Sequence, residues 1–353
     1  MAPLRFGVVG IGYGQQVLVP AIRAVPGCEV VALAASSQER AERISERVGV
    51  ASAYGDWREL VASDAVDVVA IAVPPIRQPE IAAVAARHGK HLLCEKPLAT
   101  ALAGADALAR TVREAGVAAG IDFQFRFIPA WAEAHRQLQA GVVGPVRHVS
   151  ILWHVETYAN RRRLTSWKTT PEDGGGALAS MGSHVLHYVE WLFGPITSIS
   201  CQGHGWPGSE TGEAGEAGEP LVTLVLGLAS GAVVSVTIGT NSPAGSGHHI
   251  EVYGDEGQLV LANPGPDYMA GFSVAVRRRD EPAPTVVWAD PVESGVDGRI
   301  PPVVALVTEL AEAIRQGRPP VPSVEAGRRV QQLMDLAYRS SAERAVVDVD
   351  RAG

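Results

Sequence analysis

The sequence predicts an α/β fold with an N-terminal doubly wound parallel sheet followed by a C-terminal α+β domain. Over the first 122 residues, short β-branched runs alternate with Ala- and Glu-rich stretches, which is the pattern of βαβ units. The first run leads directly into a glycine-rich turn. Beyond residue 122, strand patterns joined by short glycine turns indicate antiparallel meanders. We therefore predict one domain over 1–122 and a second over 123–353.

The elements of the first domain follow from its hydrophobic pattern. Strands are predicted at "LRFGVVG", "EVVALAAS", "VDVVAIAVP", "KHLLCEKP" and "GVAAGIDF". Helices are predicted at "QERAERISERVG", "QPEIAAVAARHG" and "ALAGADALARTVREAG", each of which ends near a glycine that can cap it. In such sheets, ligands bind beyond the carboxyl ends of the strands.

The second domain is predicted to open with a helix at "FIPAWAEAHRQLQAG". Strands follow at "VRHVSILWHVETY", "ITSISCQGHGW", "LVTLVLGLASGAVVSVTIGT", "HHIEVYGDEGQLVLA" and "FSVAVRRRD". Between two of them, "GHGWPGSETGEAGEAGEP" has little to bury and predicts a flexible acidic loop. The tail returns to helix at "PPVVALVTELAEAIRQG" and "VEAGRRVQQLMDLAYRSSAER", which can pack back toward the first domain, and closes with an "AVVDV" strand.

Composition limits the classes of partner. The formal net charge of −8 argues against a nucleic-acid or anionic-membrane binder, because phosphate contact needs a basic face. No apolar run reaches the roughly 18 residues of a membrane span. The three cysteines, Cys28, Cys94 and Cys201, are isolated, so neither a disulfide framework nor a zinc ribbon is implied. We expect a cytoplasmic protein that acts on small molecules.

The turn after the first strand reads Gly10-Ile11-Gly12-Tyr13-Gly14. Glycines here let the backbone approach a pyrophosphate and direct the next helix N-terminus at the anion. A strict G-x-G-x-x-G motif needs glycine at position 15, where this chain has Gln15. The position after the first strand of a βαβ unit favours a dinucleotide site over an ordinary glycine turn.

The end of the second strand bears on the choice of cofactor. An NAD site usually has an acidic residue there, whereas this chain has Ser36 and Ser37, with Arg40 one turn later. Two hydroxyls and a guanidinium can bind a 2′-phosphate, so we expect NADP(H) in preference to NAD(H). The alternative makes Ser36 the N-cap of the next helix and Arg40 a solvated surface charge.

The cluster "CEKP" ends the strand over 90–97 and places Lys96 at the carboxyl edge of the sheet. An ammonium beside a substrate oxygen can stabilise alkoxide charge during hydride transfer. For an isolated "EKP", an ordinary surface Glu-Lys pair at a strand end is the favoured interpretation.

Six segments together resemble one family. "GVVGIGYGQQVLVPAI", "AVPP", "CEKPLA", "DFQFRFIPA", "GGGALASMGSHVLHYVEWLFG" and "VYGDEGQLVLA" are similar, in this order, to the glucose-fructose oxidoreductase, inositol dehydrogenase and MocA family. The resemblance implies an N-terminal Rossmann domain and a C-terminal domain with a large, open-faced, mostly antiparallel sheet. It further implies an NAD(P)-linked oxidoreductase acting on sugars, cyclitols or related polyols, and a homodimer or homotetramer formed through that sheet.

The resemblance also assigns roles. Lys96 matches the family's active-site lysine and His184 its acid-base histidine. Lys96 is expected to polarise the substrate oxygen, and His184 to pass the proton. The implied cofactor contacts are Gly10, Ile11, Gly12, Tyr13 and Gly14 at the pyrophosphate, Val73, Pro74 and Pro75 beside the nicotinamide riboside, and Glu95 with Lys96.

Three departures from the family pattern stand out. The family often has His where Gln78 stands, and Asp where Ser180 and His187 stand. Because Ser180 supplies no charge to stabilise an imidazolium, either His184 works with a lower pKa, which favours ketone reduction, or His187 shares the proton transfer. His187 can equally be structural. A metal is disfavoured because two histidines at i, i+3 lack a spaced third ligand.

A helix over 180–193 would place Ser180, His184, His187, Tyr188 and Trp191 on one sector, suited to facing a polar ligand. An adjoining side carries the predicted core contact, which consists of Val185, Val189, Leu192 and Phe193. His184 as a satisfied core histidine is the alternative. The pair at 248 and 249 alternates across a strand, and we expect both histidines at the surface or at a sheet edge.

Five further residues are candidates for the substrate pocket, namely Arg126, Tyr158, Arg163, Trp167 and Lys168. So much positive charge would suit a phosphorylated, carboxylated or nucleotide-linked sugar. Alternatively, "NRRR" is a solvated charge run. Two other functions stay open: a glycosidase that works by oxidation, elimination and reduction with tightly held NAD, and a non-catalytic NAD(P)-binding protein.

Overall fold

The structure is a computed structural model that describes residues 2–164, 166–204, 218–265, 267–292, 295 and 297–349. Most of the predicted acidic loop, residues 205–217, lies outside the described residues. The chain forms two compact units: Met1–Gln124 with Arg299–Gln331, and Phe125–Gly298 with Gln332–Gly353. The segment 299–331 therefore belongs to the first unit, and the division after residue 122 stays a prediction.

The first unit contains a parallel sheet of six strands in the order β3-β2-β1-β4-β5-β6. Its strands are β1 (Leu4–Val9), β2 (Cys28–Ala34), β3 (Ser52–Tyr54), β4 (Val68–Ile71), β5 (His91–Cys94) and β6 (Ala119–Ile121). Every strand pair is parallel. The order reverses between β1 and β4, which places a ligand crevice at the carboxyl ends of those strands. The predicted doubly wound Rossmann sheet is confirmed.

The helices of this unit are α1 (Val19–Ala24), α2 (Gln38–Val48), α3 (Trp57–Ala62), α4 (Gln78–Arg87), α5 (Leu102–Ala115) and α9 (Ile300–Gln316). A π-helical turn, Gly14–Leu18, leads into α1. The sequence patterns predicted α2, α4, α5 and α9 to within a few residues. They did not predict β3 or α3, because three half-buried residues and a six-residue helix are too short to show a period.

The second unit contains a nine-stranded sheet in the order β14-β13-β12-β11-β7-β10-β9-β8-β15. Its strands are β7 (Val146–His154), β8 (Ile196–His204), β9 (Leu221–Leu228), β10 (Val233–Gly239), β11 (Gly247–Gly254), β12 (Gly257–Asn263), β13 (Ser273–Arg278), β14 (Thr285–Ala289) and β15 (Val347–Asp348). All strand pairs are antiparallel except β7 with β10. The expected mostly antiparallel sheet is confirmed.

Three α-helices belong wholly to this unit: α6 (Pro129–Gln139), α7 (Tyr158–Arg161) and α8 (Ser183–Phe193). The last long helix, α10 (Val324–Glu343), runs from the first unit into the second. A π-helical turn, Leu178–Gly182, precedes α8, and short 3-10 turns occupy Trp167–Thr169 and Pro171–Asp173. Strand β14, whose five residues are all exposed, was not among the predicted strands.

The large sheet has one covered face and one open face. Along β7, Val149, Ile151 and Trp153 are buried, whereas the intervening Leu152 is 41% exposed. This alternation buries one side of each strand and solvates the other. No helix in the described part of the chain is long and apolar enough to cross a membrane.

Candidate functional site

Two glycines of the turn after β1 lie too close to neighbouring atoms to carry a side chain, and a third faces open space. Gly10 has a φ of +95°, and a Cβ there would lie 2.2 Å from the Ala72 carbonyl oxygen, so only glycine fits. A Cβ at Gly14 would lie 2.9 Å from the Val8 side chain, which lets the helical turn pack on β1. A Cβ at Gly12 would meet nothing within 4 Å. Gly12 therefore presents bare backbone to open space.

That open backbone is what a dinucleotide requires, because a pyrophosphate needs unobstructed approach to main-chain N–H groups at the start of a helix. The glycine that a strict motif carries at position 15 is replaced by Gln15, within the π-helical turn Gly14–Leu18. A π turn bonds i to i+5 and takes up one residue more than an α turn. The irregular spacing thus leads into a continuous helical segment that runs on into α1.

The end of β2 carries the predicted 2′-phosphate residues. Arg40 Nη1 lies 3.5 Å from the Ser36 hydroxyl, so these two side chains adjoin. The N-cap of α2 is Ser37, whose hydroxyl accepts from the Arg40 amide at 3.4 Å. The alternative that made Ser36 the N-cap is wrong.

Lys96 lies just beyond β5, in a turn that Gln78 holds in place. Gln78 is fully buried at the start of α4, and its side-chain nitrogen donates to the carbonyls of Glu95 at 2.6 Å, Pro97 at 3.1 Å and Leu98 at 3.3 Å. The Lys96–Pro97 peptide bond is cis. The sequence singled out Gln78 only as a departure from a family pattern; the structure shows that it fixes the backbone of the lysine turn.

The segment after β4 lies at the same edge of the sheet. Val73 and Pro74 are half-buried and Pro75 is buried. The Glu95 amide donates to the Ile71 carbonyl at 3.1 Å, which continues the ladder between β4 and β5 past their ends. The two proposed nicotinamide-side segments are therefore neighbours within the first unit.

Sequence reasoning missed one acidic residue at this edge. Asp122 directly follows β6 and is 1% exposed. The Tyr13 hydroxyl donates to its Oδ2 at 3.0 Å. Burial, together with the nearby Glu95 carboxyl, raises the pKa of Asp122 well above its usual range. A single aspartate inside "GIDF" gave no signal, because its partners are distant in sequence.

In the second unit, the triple glycine before α8 is explained by crowding. Gly176 has a φ of +114°, and a Cβ there would lie 2.4 Å from Oε2 of Glu219. A Cβ on Gly175 would lie 2.2 Å from the Trp167 carbonyl oxygen. The Glu219 carboxylate accepts from the Leu178 amide at 2.9 Å, at the start of the helical segment that carries both histidines. Glycine thus allows this carboxylate to cap the segment.

The predicted helix over 180–193 differs from the observed one. α8 begins at Ser183, and Ser180 lies in the preceding π turn, where the assumed α-helical spacing does not apply. The Ser180 hydroxyl donates to the Gly176 carbonyl at 2.6 Å. Both predicted sectors of α8 are largely buried, so this helix does not divide into one core side and one ligand side.

His184 and His187 are 6% and 9% exposed. The Phe125 ring lies edge-on to the His184 ring at 4.9 Å. Burial, with a smaller contribution from the Arg126 charge, lowers the pKa of His187 to about 3. Arg126 itself stacks over the Trp191 ring at 5.3 Å. Arg126 is therefore close enough to His187 for its positive charge to disfavour protonation of the imidazole.

The prediction that His248 lies at the surface or a sheet edge is wrong. β11 is interior to the sheet, and His248 is buried in an aromatic cluster, stacked on Trp153 at a centroid distance of 4.3 Å. The Tyr188 hydroxyl lies 3.0 Å from its Nε2. His249, on the opposite face of the strand, is half-buried.

The remaining pocket candidates differ in exposure. Tyr158 is 71% exposed, and the Arg162 guanidinium lies over its ring at 5.9 Å. Arg163 is exposed. Trp167 is half-buried, and the Lys168 ammonium lies 5.8 Å from its ring centroid. Among the described residues, no group of three or more His, Cys, Asp or Glu is arranged to hold a metal ion.

Two family models match the chain. Residues 4–123 match the model for an oxidoreductase family with an NAD-binding Rossmann fold, and residues 135–349 match the model for the C-terminal alpha/beta domain of the same family. The chain belongs to the Gfo/Idh/MocA oxidoreductase family. It is therefore an oxidoreductase with a nucleotide-binding Rossmann domain.

Similar proteins support the assignment of this chain to the Gfo/Idh/MocA family. An uncharacterized oxidoreductase of Synechocystis is 32% identical over 361 residues, 99% of this chain and 97% of its own. Levoglucosan dehydrogenase of Pseudarthrobacter phenanthrenivorans is 27% identical over 347 residues, 90% of this chain and 88% of its own. A levoglucosan dehydrogenase structure in complex with NADH and L-sorbose has a TM-score of 0.87 at 25% identity, covering 99% of this chain and 100% of that one.

Proposed function

We propose that this protein is an NAD(P)-dependent dehydrogenase that interconverts a carbinol and a carbonyl group of a sugar, cyclitol or sugar-like polyol. The observation that carries the proposal is the placement of Lys96. It follows β5 at the same edge of the parallel sheet at which β1 runs into the open glycine turn. A cofactor cradle and a lysine at one sheet edge suit hydride transfer at an oxygen-bearing carbon.

In this proposal each residue has a stated task. When bound, the nicotinamide supplies or accepts the hydride. The Lys96 ammonium donates a hydrogen bond to the substrate oxygen and stabilises the negative charge that develops there. His184 gives or takes the proton at that oxygen, because imidazole ordinarily titrates near neutral pH. His187 stays neutral, given its pKa of about 3, and a neutral imidazole can both accept and donate, which suits a relay.

The binding assignments are part of the same proposal. Backbone from Gly10 to Gly14 holds the pyrophosphate, and Val73, Pro74, Pro75 and Glu95 flank the nicotinamide riboside. The substrate wall is assigned to Arg126, Tyr158, Arg163, Trp167 and Ser180.

We further propose a preference for NADP(H) over NAD(H). Ser36 and Arg40 adjoin after β2, and no acidic residue occupies 35–37, where a carboxylate would repel a 2′-phosphate. Calorimetry should show tighter binding of NADP(H) than of NAD(H), and Arg40→Ala should remove most of that difference. Equal affinities in the unmodified protein would contradict the preference.

The activity itself is tested by following reduction of NADP⁺ and NAD⁺ with levoglucosan, a cyclitol and several aldoses. Lys96→Ala and His184→Asn should each lower kcat by at least about 100-fold, as expected for loss of electrostatic or acid-base catalysis. His88→Asn, at an exposed histidine, is the matched control and should leave the rate unchanged. Full activity in both site variants would refute the mechanism. Stoichiometric NAD released from the purified protein, without net turnover, would favour the redox-elimination glycosidase instead.

The open sheet face supports a proposed homodimer or homotetramer. Leu152, Val225 and Val233 are exposed on one face of neighbouring strands, where register places them on the same side. A second copy of the chain would cover this apolar surface. Light scattering should give a dimer or tetramer mass, and Leu152→Glu should reduce it; a monomeric unmodified protein would contradict the proposal.

A further inference from the structure

Two acidic residues, the buried Asp122 and the half-buried Glu95, lie beside Lys96 at the carboxyl edge of the parallel sheet. Asp122 follows β6, and its amide donates to the Cys94 carbonyl at 2.9 Å. The next residue after Cys94 is Glu95, so the two carboxyls extend from neighbouring strand ends. Nothing in the sequence pattern or in the proposed mechanism assigns a task to Asp122.

The groups around Asp122 come from several elements. The Tyr13 hydroxyl reaches across from the glycine turn and donates to Oδ2 at 3.0 Å. With its amide nitrogen turned toward Asp122, Gln124 donates to Oδ1 at 3.2 Å. The Arg299 guanidinium lies over the Tyr13 ring, 5.6 Å from its centroid. Asp122 is therefore fixed in position by polar contacts on both carboxyl oxygens.

Glu95 provides the second carboxyl. Its Oε2 accepts from the Lys96 amide at 3.2 Å. Its Oε1 is buried, and that atom has no hydrogen-bond donor among the described residues. The Asp122 and Glu95 side chains are within hydrogen-bonding reach of each other, but two ionised carboxylates have no proton with which to make the bond. A proton on Asp122 is the donor that this arrangement lacks.

The charges around the pair favour that proton. Burial and Glu95 raise the pKa of Asp122, and these effects outweigh the Tyr13 hydrogen bond and the Lys96 charge, which lower it. Burial, with the Glu95 charge as a second cause, raises the pKa of the neighbouring Cys94 thiol to about 12. The cysteine is therefore neutral and contributes no further charge.

We propose that Asp122 and Glu95 share a single proton and serve together as a one-charge counterion for Lys96. One negative charge on the pair balances one ammonium, which avoids the cost of burying a second anion. Asp122 is then a positioning residue: as a neutral acid it holds Glu95, and Glu95 holds the lysine turn. The consequence for turnover rests on the proposed role of Lys96, whereas the pair itself does not.

The first test is infrared spectroscopy of the full-length, nucleotide-free protein with ¹³C-labelled aspartate. A carbonyl stretch from a protonated aspartic acid should be present at pH 7 and absent in Asp122→Asn. Asp106→Asn, which replaces a carboxylate paired with Arg328, is the control and should keep the band. Absence of the band from the unmodified protein at pH 7 would overturn the proposal, even if the Asp122 variant does not fold.

The second test counts the charge. The rate at which an amine-reactive reagent labels Lys96 reports the fraction of free amine. Glu95→Gln and Asp122→Asn each leave one negative charge, so each should change the rate less than about three-fold, whereas the double variant should raise it about ten-fold or more, as expected when a close opposite charge is removed. A ten-fold rise in either single variant would show two charges and refute the pair, as would an unchanged rate in the double variant. Neither test needs turnover, so failure to oxidise any polyol would contradict the proposed function alone.

Discussion

The buried histidines of the second unit should make its stability depend on pH in a calculable way. Burial lowers the pKa of His248 from 6.5 to about 3, and that of His187 by a similar amount. Among the described residues, Nδ1 of His248 has no hydrogen-bond partner, so a second ring proton would be buried without an acceptor. The Trp153 ring stacked on the imidazole excludes water from that face.

The sign follows from proton binding in the two states. In the unfolded chain each imidazole takes up a proton below pH 6.5, whereas the folded state binds it only near pH 3, so stability falls as pH drops through that window. In the unfolded chain, the histidine pKa lies about 1.5 units above pH 5. At 1.36 kcal/mol per unit, protonation of the unfolded chain lowers the free energy of unfolding by about 2 kcal/mol for each histidine. The two histidines together should therefore remove about 4 kcal/mol between pH 7 and pH 5.

Urea unfolding at pH 7, 6 and 5, followed by tryptophan fluorescence, measures this loss. His248→Asn removes one of the two titrating groups, so its stability should fall by about 2 kcal/mol less than that of the unmodified protein over the same range. The comparison cancels the carboxyl groups, which titrate in both proteins. The exposed His88→Asn serves as the matched control and should keep the full pH dependence. Identical pH dependence in His248→Asn and the unmodified protein would refute the reasoning.

Four substitutions test other parts of the structure. Gly12→Ala should leave the thermal midpoint almost unchanged, because its Cβ meets no atom within 4 Å, but should weaken dinucleotide binding at least about ten-fold. Gly10→Ala should instead destabilise the fold by about 2 kcal/mol or more. Equal effects of the two substitutions in calorimetry would contradict these roles. Gln78→Leu should lower kcat at least ten-fold with little change in cofactor affinity, because a displacement of about 1 Å at Lys96 is enough to slow the reaction to that extent. An unchanged kcat would show that the Gln78 hydrogen bonds do not position Lys96. Gly176→Ala should cost about 1–3 kcal/mol in urea unfolding, because its Cβ displaces the Glu219 carboxylate, and full stability would exclude that contact.

The sequence was sufficient for elements whose evidence is local. Strands such as β4, four consecutive buried residues, appear as apolar runs, and helices such as α5 show a period and a glycine end. It was insufficient where the evidence is a relation between distant residues. Tyr13 and Asp122 are 109 positions apart, and nothing in the sequence around Asp122 indicates the hydrogen bond that joins them.

Burial of polar residues was the other gap. The pair at 248 and 249 was correctly placed on opposite faces of a strand, but the pattern does not say which face is covered. The position of β11 inside a nine-stranded sheet decides that His248 is buried. Likewise, the start of α8 was misplaced because nothing in the residue types of Leu178–Gly182 distinguishes a π turn from an α turn.

The return of residues 299–331 to the first unit constrains how the chain acquires its structure during synthesis. α9 packs on α1, the Arg315 guanidinium donates to the Gly27 carbonyl at 3.1 Å, and the Ile121 amide donates to the Pro322 carbonyl at 3.1 Å. In each of these contacts, the later partner (α9, Arg315 or Pro322) leaves the ribosome after the whole intervening segment of the second unit. The nucleotide-binding unit therefore reaches its final form only after residues 299–331 have been made, and a fragment that stops at residue 122 would expose the apolar surface that α9 covers.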